Sequence, residues 1–231
     1  MHQLIDKKIK LFFYFLLFLL LSTQISINNN QKDNFYTSLN IIEVEGLSEK
    51  NNLTIYQSLK FLLYKNIFFL NKNDIDKIIK KNNLVESFYI KKFYPNLIKV
   101  KINQTKLLAI TNKNSEKFFI GSNGKLIPTD QIENFNEKLP FVYTNKNYFD
   151  FIELKEIIDK SEFKFEEIES FFYFPSNRWD IKTKDGFLIK LPEKKIKESL
   201  IFAQYIKTNE KFKDRKIIDL RIPDNIILSN E

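Results

Sequence analysis

The sequence predicts an α+β protein in which a single N-terminal transmembrane helix precedes a compact β-α-α-β-β module and a mainly antiparallel β-domain with flanking helices. Three observations support this prediction. Lysines come just before an unbroken apolar run at residues 11–21, as they do in a membrane anchor. Residues 41–104 alternate between strand-like and helix-like spacing of apolar side chains. From residue 105 onward, short apolar segments are separated by turn signals, which favours antiparallel strands.

The amino-terminal apolar run is expected to anchor the chain in a membrane. Residues 11–21 alone give only about 16 Å of helix, but Ile9–Ile27 gives about 28 Å if Lys10 reaches back to the headgroups. We therefore expect a cytoplasmic tail at residues 1–10, a transmembrane signal anchor at 11–27 and a linker at 28–40. A cleaved signal peptide is the alternative, and the absence of an Ala-x-Ala-like site after the run disfavours it. Both interpretations keep the lysines in the cytoplasm and export the remainder.

The module that follows is predicted from its changing apolar spacing. Its expected elements are a strand at Ile41–Val44, a helix at Thr54–Lys65 with Thr54 as the N-terminal cap, a helix at Asn73–Lys81, a strand at Phe88–Phe93 and a strand over residues 98–102. The last strand gives the clearest signal, because Ile98, Val100 and Ile102 alternate with lysines. The order β-α-α-β-β in about sixty residues indicates a compact unit.

The remaining residues predict hairpins and two helices. The expected elements are a hairpin of residues 118–120 and 125–127, a helix at Ile152–Ile158, a hairpin of residues 179–183 and 187–191, a helix at Lys194–Lys207, and terminal strands at Ile217–Leu220 and Ile226–Leu228. Pro223, Asp224 and Asn225 are expected to form the turn between the terminal strands.

Composition excludes most catalytic chemistry. The chain has no cysteine, and its only histidine is His2, so thiolate metal sites, cysteine nucleophiles and Ser-His-Asp triads are excluded. Ser161 and Lys164 match the Ser-x-x-Lys spacing of penicillin-binding enzymes, but the partner motifs are absent. The net charge of +8 comes mainly from lysines spread among acidic residues, which indicates a solvated surface. We therefore expect no enzyme activity, no cofactor, no metal site, no small-molecule substrate and no nucleic-acid binding.

Several short motifs carry a family resemblance. They are Phe93-Tyr94-Pro95-Asn96-Leu97-Ile98-Lys99-Val100, Leu139-Pro140, Arg178-Trp179-Asp180 followed by Asp185-Gly186 and Leu191-Pro192, and Ile218-Asp219-Leu220-Arg221. Together with the basic amino terminus and the apolar run, they resemble the FtsQ/DivIB family of bacterial cell-division proteins over nearly the whole chain. The resemblance implies a POTRA domain at residues 41–104 and an FtsQ-type β-domain at 105–231. Two departures are Gln104-Thr105-Lys106-Leu107, where the family often has Glu-Arg-x-Pro, and Ile222, where it often has an aromatic residue.

The resemblance implies a function. Such a protein is an essential-type, single-pass scaffold of the divisome in the inner membrane at the division septum, with a cytoplasmic amino terminus and periplasmic domains. It links cytoplasmic and periplasmic division components and binds FtsB and FtsL homologues through its β-domain. A POTRA-containing periplasmic chaperone or outer-membrane assembly factor is the alternative.

The resemblance also implies two interaction surfaces. The expected partner-binding residues of the β-domain are Arg178, Trp179, Asp219, Arg221, Ile222 and Ile226. For Trp179 a core position is the alternative, and for each arginine an internal ion pair is the alternative. The expected recruitment surface of the POTRA domain consists of Ser87, Ile90 and Lys92.

Overall fold

The computed structural model describes residues 7–23, 37–133, 135–212, 214–222 and 225–230. Residues 1–6 of the expected cytoplasmic tail, 24–27 of the expected anchor and 28–36 of the expected linker lie outside the described residues. Pro223 and Asp224 of the predicted turn also lie outside them.

The amino-terminal helix α1 (Lys7–Thr23) has 17 residues. At 1.5 Å per residue it is about 26 Å long, which is less than the roughly 30 Å of a hydrocarbon core. Within the described ranges, no helix combines the length and the apolar character needed to cross a membrane. The predicted single transmembrane helix is therefore wrong. Lysines at one end and Ser22 and Thr23 at the other leave too short an apolar stretch between them.

A three-stranded sheet follows, with two helices packed on it. Its elements are β1 (Ile41–Glu45), α2 (Glu49–Leu59), α3 (Lys72–Ile79), β2 (Val85–Phe93) and β3 (Leu97–Gln104), with 3₁₀ turns at Lys60–Leu62 and Ile67–Phe69. The strand order is β1-β3-β2, with β1 parallel and β2 antiparallel to β3. Gly46 ends β1 with φ of +113°, and a Cβ there would lie 1.9 Å from the Ile102 carbonyl oxygen. Only glycine fits where the backbone at the end of β1 approaches β3 this closely.

Helix α2 begins five residues earlier than the predicted Thr54. Thr54 lies inside the helix, where its hydroxyl donates to the Lys50 carbonyl at 3.0 Å. The first turn contains Asn51, which is buried and donates to the Gln131 carbonyl at 2.8 Å. This long-range hydrogen bond lets a polar segment form the start of the helix.

A nine-stranded sheet forms the larger domain. Its elements are β4 (Leu107–Lys113), β5 (Glu116–Gly121), β6 (Leu126–Pro128), β7 (Phe141–Tyr143), α4 (Phe149–Asp159), β8 (Ile168–Phe174), β9 (Arg178–Thr183), β10 (Leu188–Lys190), α5 (Ile196–Thr208), β11 (Ile217–Asp219) and β12 (Ile227–Ser229). The strand order is β12-β11-β10-β9-β8-β7-β4-β5-β6, so β12 and β6 are the two edges.

The pairing in this sheet is mainly antiparallel, as predicted. The predicted hairpins are present as β5–β6 and β9–β10. Parallel pairs join β10 to β11 and join β7 to both β4 and β8. Strands β4, β7 and β8 were not predicted, because their apolar runs do not alternate with polar residues.

Helices α4 and α5 supply much of the core of the nine-stranded sheet. Phe151 of α4 is fully buried, with its ring centroid 5.2 Å from that of Phe171 on β8. Leu200 and Ala203 of α5 are fully buried in the same cluster. Lys207, near the end of α5, forms ion pairs with Glu167 and Asp185.

The two sheets meet at a polar and apolar junction. Leu84 from the first domain packs with Phe119 of β5 and Ile127 of β6. The Asn123 amide donates to the carbonyls of Asn83 and Val85 at 3.0 and 3.1 Å. In return, the Asn83 amide donates to the Leu126 carbonyl at 2.7 Å. Directional hydrogen bonds around an apolar contact set the orientation of one domain against the other.

Candidate functional site

The β12 edge of the nine-stranded sheet is flanked by two grooves. The larger has a volume of about 780 Å³ and lies between the start of α5 and the chain after β11. A second groove of about 270 Å³ lies beside it and shares Phe202 and Ile226 with it. Ile222 and Ile226 are exposed at the larger groove, although both are large apolar side chains. An unpaired strand edge beside apolar grooves can accept an extended peptide.

A row of charged residues crosses the strands next to this edge. Lys190 of β10 lies directly opposite Asp180 of β9 on one side and Asp219 of β11 on the other. Both carboxylates are buried. Arg221 follows β11 and lines the larger groove. The row therefore connects the sheet interior to the groove.

Arg221 forms an internal ion pair with Asp219. Its Nε donates to Oδ1 of Asp219 at 2.8 Å, and its Nη2 pairs with Oδ2 of the same carboxylate. The backbone N–H of Arg221 also donates to this carboxylate at 3.1 Å. These hydrogen bonds hold the pKa of Asp219 below its ordinary value. Part of the guanidinium stays accessible, since the Arg221 side chain is 36% exposed.

Arg178 and Asp180 form a looser pair on the same strand. The Arg178 Nε lies 3.8 Å from Oδ1 of Asp180, which is too long for a hydrogen bond. Both atoms are buried without a hydrogen-bond partner among the described residues. The Arg178 guanidinium instead stacks on the Phe174 ring at 4.5 Å. Burial raises the pKa of Asp180 above its ordinary value, and the charges of Arg178 and Lys190 oppose this only partly.

Trp179 lies on the opposite face of β9 from its neighbours Arg178 and Asp180. It is 4% exposed and packs edge-on against Tyr173 with the ring centroids 4.9 Å apart. Its other ring contacts are with Phe151 and Phe171. Its position is therefore in the core.

The six expected partner-binding residues thus fall into three groups. Asp219 belongs to the charged row, and Arg178 lies beside Asp180 of that row on the same strand. Arg221, Ile222 and Ile226 line the groove. Trp179 lies in the core beneath them.

The three residues of the expected POTRA recruitment surface are separated by the pleat of β2. Ser87 is exposed and accepts a hydrogen bond from the Asn103 amide at 2.8 Å. Ile90 packs against the core of the first domain. Lys92 donates to the carbonyls of Ile67 and Leu70 at 2.8 and 3.3 Å.

Sequence reasoning missed part of this site. Asp180 and Lys190 complete the charged row, and Phe202 and Leu220 line the groove. The alternation within β9 carried a signal for Asp180, because residues two apart on a strand share a face. Predicting the position of Lys190 required the strand register, which cannot be read from the sequence.

Two family models match the chain. The "POTRA domain, FtsQ-type" model matches residues 37–103, and the "Cell division protein FtsQ/DivIB, C-terminal" model matches residues 109–221. The second match ends at Arg221, beside the groove. The chain belongs to the FtsQ/DivIB family of cell division proteins. The resemblance inferred from the motifs is thereby confirmed.

Curated relatives in the FtsQ/DivIB family agree. The chain is 27% identical over 186 residues to the cell division protein FtsQ of Rickettsia prowazekii, covering 77% of this chain and 67% of the relative. It is 22% identical over 185 residues to FtsQ of Rhizobium meliloti, covering 79% of this chain and 60% of the relative. The extracytoplasmic domain of the cell division protein DivIB from Geobacillus stearothermophilus aligns with a TM-score of 0.35 and 14% identity. That alignment covers 46% of this chain and 92% of the other.

Proposed function

We propose that this protein is a non-catalytic scaffold of the divisome, which acts at the inner membrane of the division septum. Its β-domain binds FtsB-like and FtsL-like partners. The POTRA domain contributes to recruitment through the solvent face of β2, where Ser87 lies. The domain boundaries that accompany this proposal are residues 41–104 and 105–231.

The observation that carries the proposal is the unpaired β12 edge beside apolar grooves. Strand β12 is only three residues long and pairs with β11 on one side. Within the described part of the chain, no strand pairs with its outer side, which leaves backbone N–H and C=O groups for an incoming strand. Apolar side chains of that strand would enter the grooves at Phe202 and Ile226. Backbone pairing then supplies affinity, and the grooves supply specificity.

The charged row gives a reason for the position of Arg221. Its guanidinium has more donors than the Asp219 carboxylate uses, so it can also bind an acidic residue of a partner. The ion pair with Asp219 holds the guanidinium in one orientation before binding. Such preorganisation lowers the entropic cost of a charge-assisted hydrogen bond across the interface.

The test is co-purification of the full chain with the FtsB-like and FtsL-like proteins of the same organism. One variant lacks residues 223–231, which removes β12 but keeps β11 and the buried Ile218 and Leu220. A second variant is Ile226→Glu, which places a charge at the grooves. Ile41→Glu is the matched control, because Ile41 is a similarly exposed isoleucine of the first sheet.

We expect both edge variants to lose the partners and Ile41→Glu to retain them. Fluorescence of Trp179, the only tryptophan, checks that the β-domain core stays folded. Retention of partners by the folded truncation would move the site away from β12. No binding by the folded unmodified chain would contradict the proposed partners.

A further inference from the structure

Aromatic side chains are exposed together at one end of the POTRA domain. This aromatic patch consists of Phe61, Tyr64, Phe68, Phe69, Phe93 and Tyr94. Phe69 is 85% exposed and Tyr64 is 79% exposed. Phe68 stacks on Tyr94 with the ring centroids 4.7 Å apart, which joins the 3₁₀ turn after α2 to the β2–β3 turn. Exposed apolar groups in one patch mark an interaction surface.

Lysines surround the aromatic patch. Lys65 lies 4.8 Å from the centre of the Phe61 ring, and Lys91 lies at the same distance from the Phe93 ring. No Asp or Glu occurs in residues 50–73 or 87–115, the two segments that carry the patch. Within the described residues, no lysine of residues 60–72 or 91–92 pairs with a carboxylate, whereas Lys99, opposite Lys91 on β3, pairs with Glu43 and Glu45. The patch is therefore cationic as well as aromatic.

We propose that this patch binds the surface of an anionic lipid membrane. Tyrosine and lysine suit the membrane interface, because the ring or alkyl stem packs against lipid while the polar end reaches the headgroups. Lysines near anionic headgroups add electrostatic attraction. The contact is peripheral and does not require any helix to cross the bilayer.

Two other occupants fit the patch less well. A protein partner is disfavoured because lysine is depleted in protein interfaces and arginine is enriched, whereas all the cations around this patch are lysines. A second copy of the chain is disfavoured because its patch would oppose lysine to lysine.

The position of the patch in the chain also favours lipid. The chain enters the POTRA domain through it, since Leu39 exchanges backbone hydrogen bonds with Tyr64 and Lys65. Residues 24–36 connect this end of the domain to α1. The apolar side chains of residues 11–21 in α1 are exposed. A lipid surface therefore suits both the patch and the segment joined to it.

The experiment uses the absence of cysteine from the chain. Phe69→Cys in the full chain gives a single attachment site for a polarity-sensitive nitrobenzoxadiazole dye. Tyr205→Cys is the matched control, an exposed aromatic position on α5 in the β-domain. Each labelled protein is mixed with phosphatidylcholine vesicles, with or without phosphatidylglycerol. Because α1 is joined to the patch end of the domain, its own affinity for lipid can bring position 69 to the vesicle, so the lysine variants below, which carry the same α1, are the control for this effect.

We expect the dye at position 69 to shift to shorter wavelength with anionic vesicles, and the dye at position 205 not to shift. Changing Lys65 and Lys91 to Gln should raise the lipid concentration needed for half of the shift. The expected increase is about fivefold for each lysine, from roughly 1 kcal/mol per basic side chain near anionic lipid. Lys113→Gln with Lys197→Gln, two exposed lysines outside the patch, should leave it unchanged.

The proposal is overturned if position 69 does not shift, shifts equally with neutral vesicles, or shifts independently of Lys65 and Lys91. A shift that depends on protein concentration without vesicles would assign the patch to a second copy and would also overturn it. The assay contains no partner protein, so its outcome is distinguishable from failure of the proposed partner binding.

Discussion

The main cores of the two domains differ in their content of aromatic residues. Every fully buried hydrophobic residue in the main core of the POTRA domain is leucine, isoleucine or valine. The main core of the β-domain instead buries five aromatic side chains, namely Phe151, Phe163, Phe171, Trp179 and Phe187. The POTRA domain instead has several aromatic side chains exposed to solvent, Phe69 and Tyr64 among them. Core packing therefore explains these five aromatics of the β-domain, but it does not explain the exposed aromatics of the POTRA domain.

The largest expected effect is in the aromatic core. Phe151→Ala removes a fully buried ring that contacts Phe171 and Trp179, and it should lower the free energy of unfolding by about 3–5 kcal/mol. Chemical denaturation followed by Trp179 fluorescence measures this. A loss below about 1 kcal/mol would mean that the aromatic cluster is loosely packed.

A similar or smaller loss is expected in the aliphatic core. Leu59→Ala removes a fully buried side chain of the POTRA domain and should cost about 2–5 kcal/mol. Amide hydrogen exchange across α2 and β3 measures this domain separately, since it contains no tryptophan. An equal rise of exchange in α4 and α5 would show that Leu59→Ala also destabilises the β-domain.

A smaller loss of stability, which depends on pH, is expected when the charged row is changed. Because its folded pKa is lowered, Asp219 contributes stability above the ordinary carboxyl pKa, and this contribution is lost as pH falls through the folded pKa. Arg221→Ala should cost about 1–3 kcal/mol at neutral pH, since it removes hydrogen bonds to a buried carboxylate. We expect the difference from the unmodified protein to shrink in acid, as measured by denaturation at several pH values.

Asp180, in the same row, is expected to have the opposite effect on how stability depends on pH. Because burial raises its folded pKa, its effect is to make stability fall as pH rises from the ordinary carboxyl pKa through the folded one. Asp180→Asn should therefore flatten that part of the profile. An unchanged profile would contradict the pKa shift.

The smallest expected effect is at the exposed patch. Phe69→Ser should change the free energy of unfolding by no more than about 0.5 kcal/mol, because the side chain is mostly in solvent. Chemical denaturation of Phe69→Ser in parallel with Phe151→Ala measures the change in the free energy of unfolding for both variants. A loss above 2 kcal/mol would show that Phe69 supports the fold, and the contrast between the domains would no longer hold.

The elements that could be predicted from the sequence are those with a local pattern of apolar residues or turn residues. The alternation of Ile98, Val100 and Ile102 predicted β3, and the glycine-containing turns predicted both hairpins. The early start of α2 was missed because Asn51 is stabilised by Gln131, eighty residues away. Strand β8 was missed because Phe171 faces the core while Phe172 stacks on Tyr143, so both faces are apolar.

The candidate site was predicted only in part, for a related reason. Arg221, Ile222 and Ile226 are expected from the family resemblance of the terminal strand region, and they lie at the groove. Lys190 joins the row because β10 pairs with β9 and with β11, and β11 is distant in sequence. Such register depends on tertiary packing rather than on local pattern.

The order of the nine strands makes the sheet a spacer of set length. Strand β6 at one edge takes part in the junction with the POTRA domain, and β12 lies at the other edge. Neighbouring strands are about 4.8 Å apart, so eight intervals separate these edges by roughly 38 Å along the sheet. The hydrogen bonds of Asn83 and Asn123 fix the near end of this spacer. A partner strand on β12 would therefore sit at a defined distance from whatever surface the POTRA domain contacts.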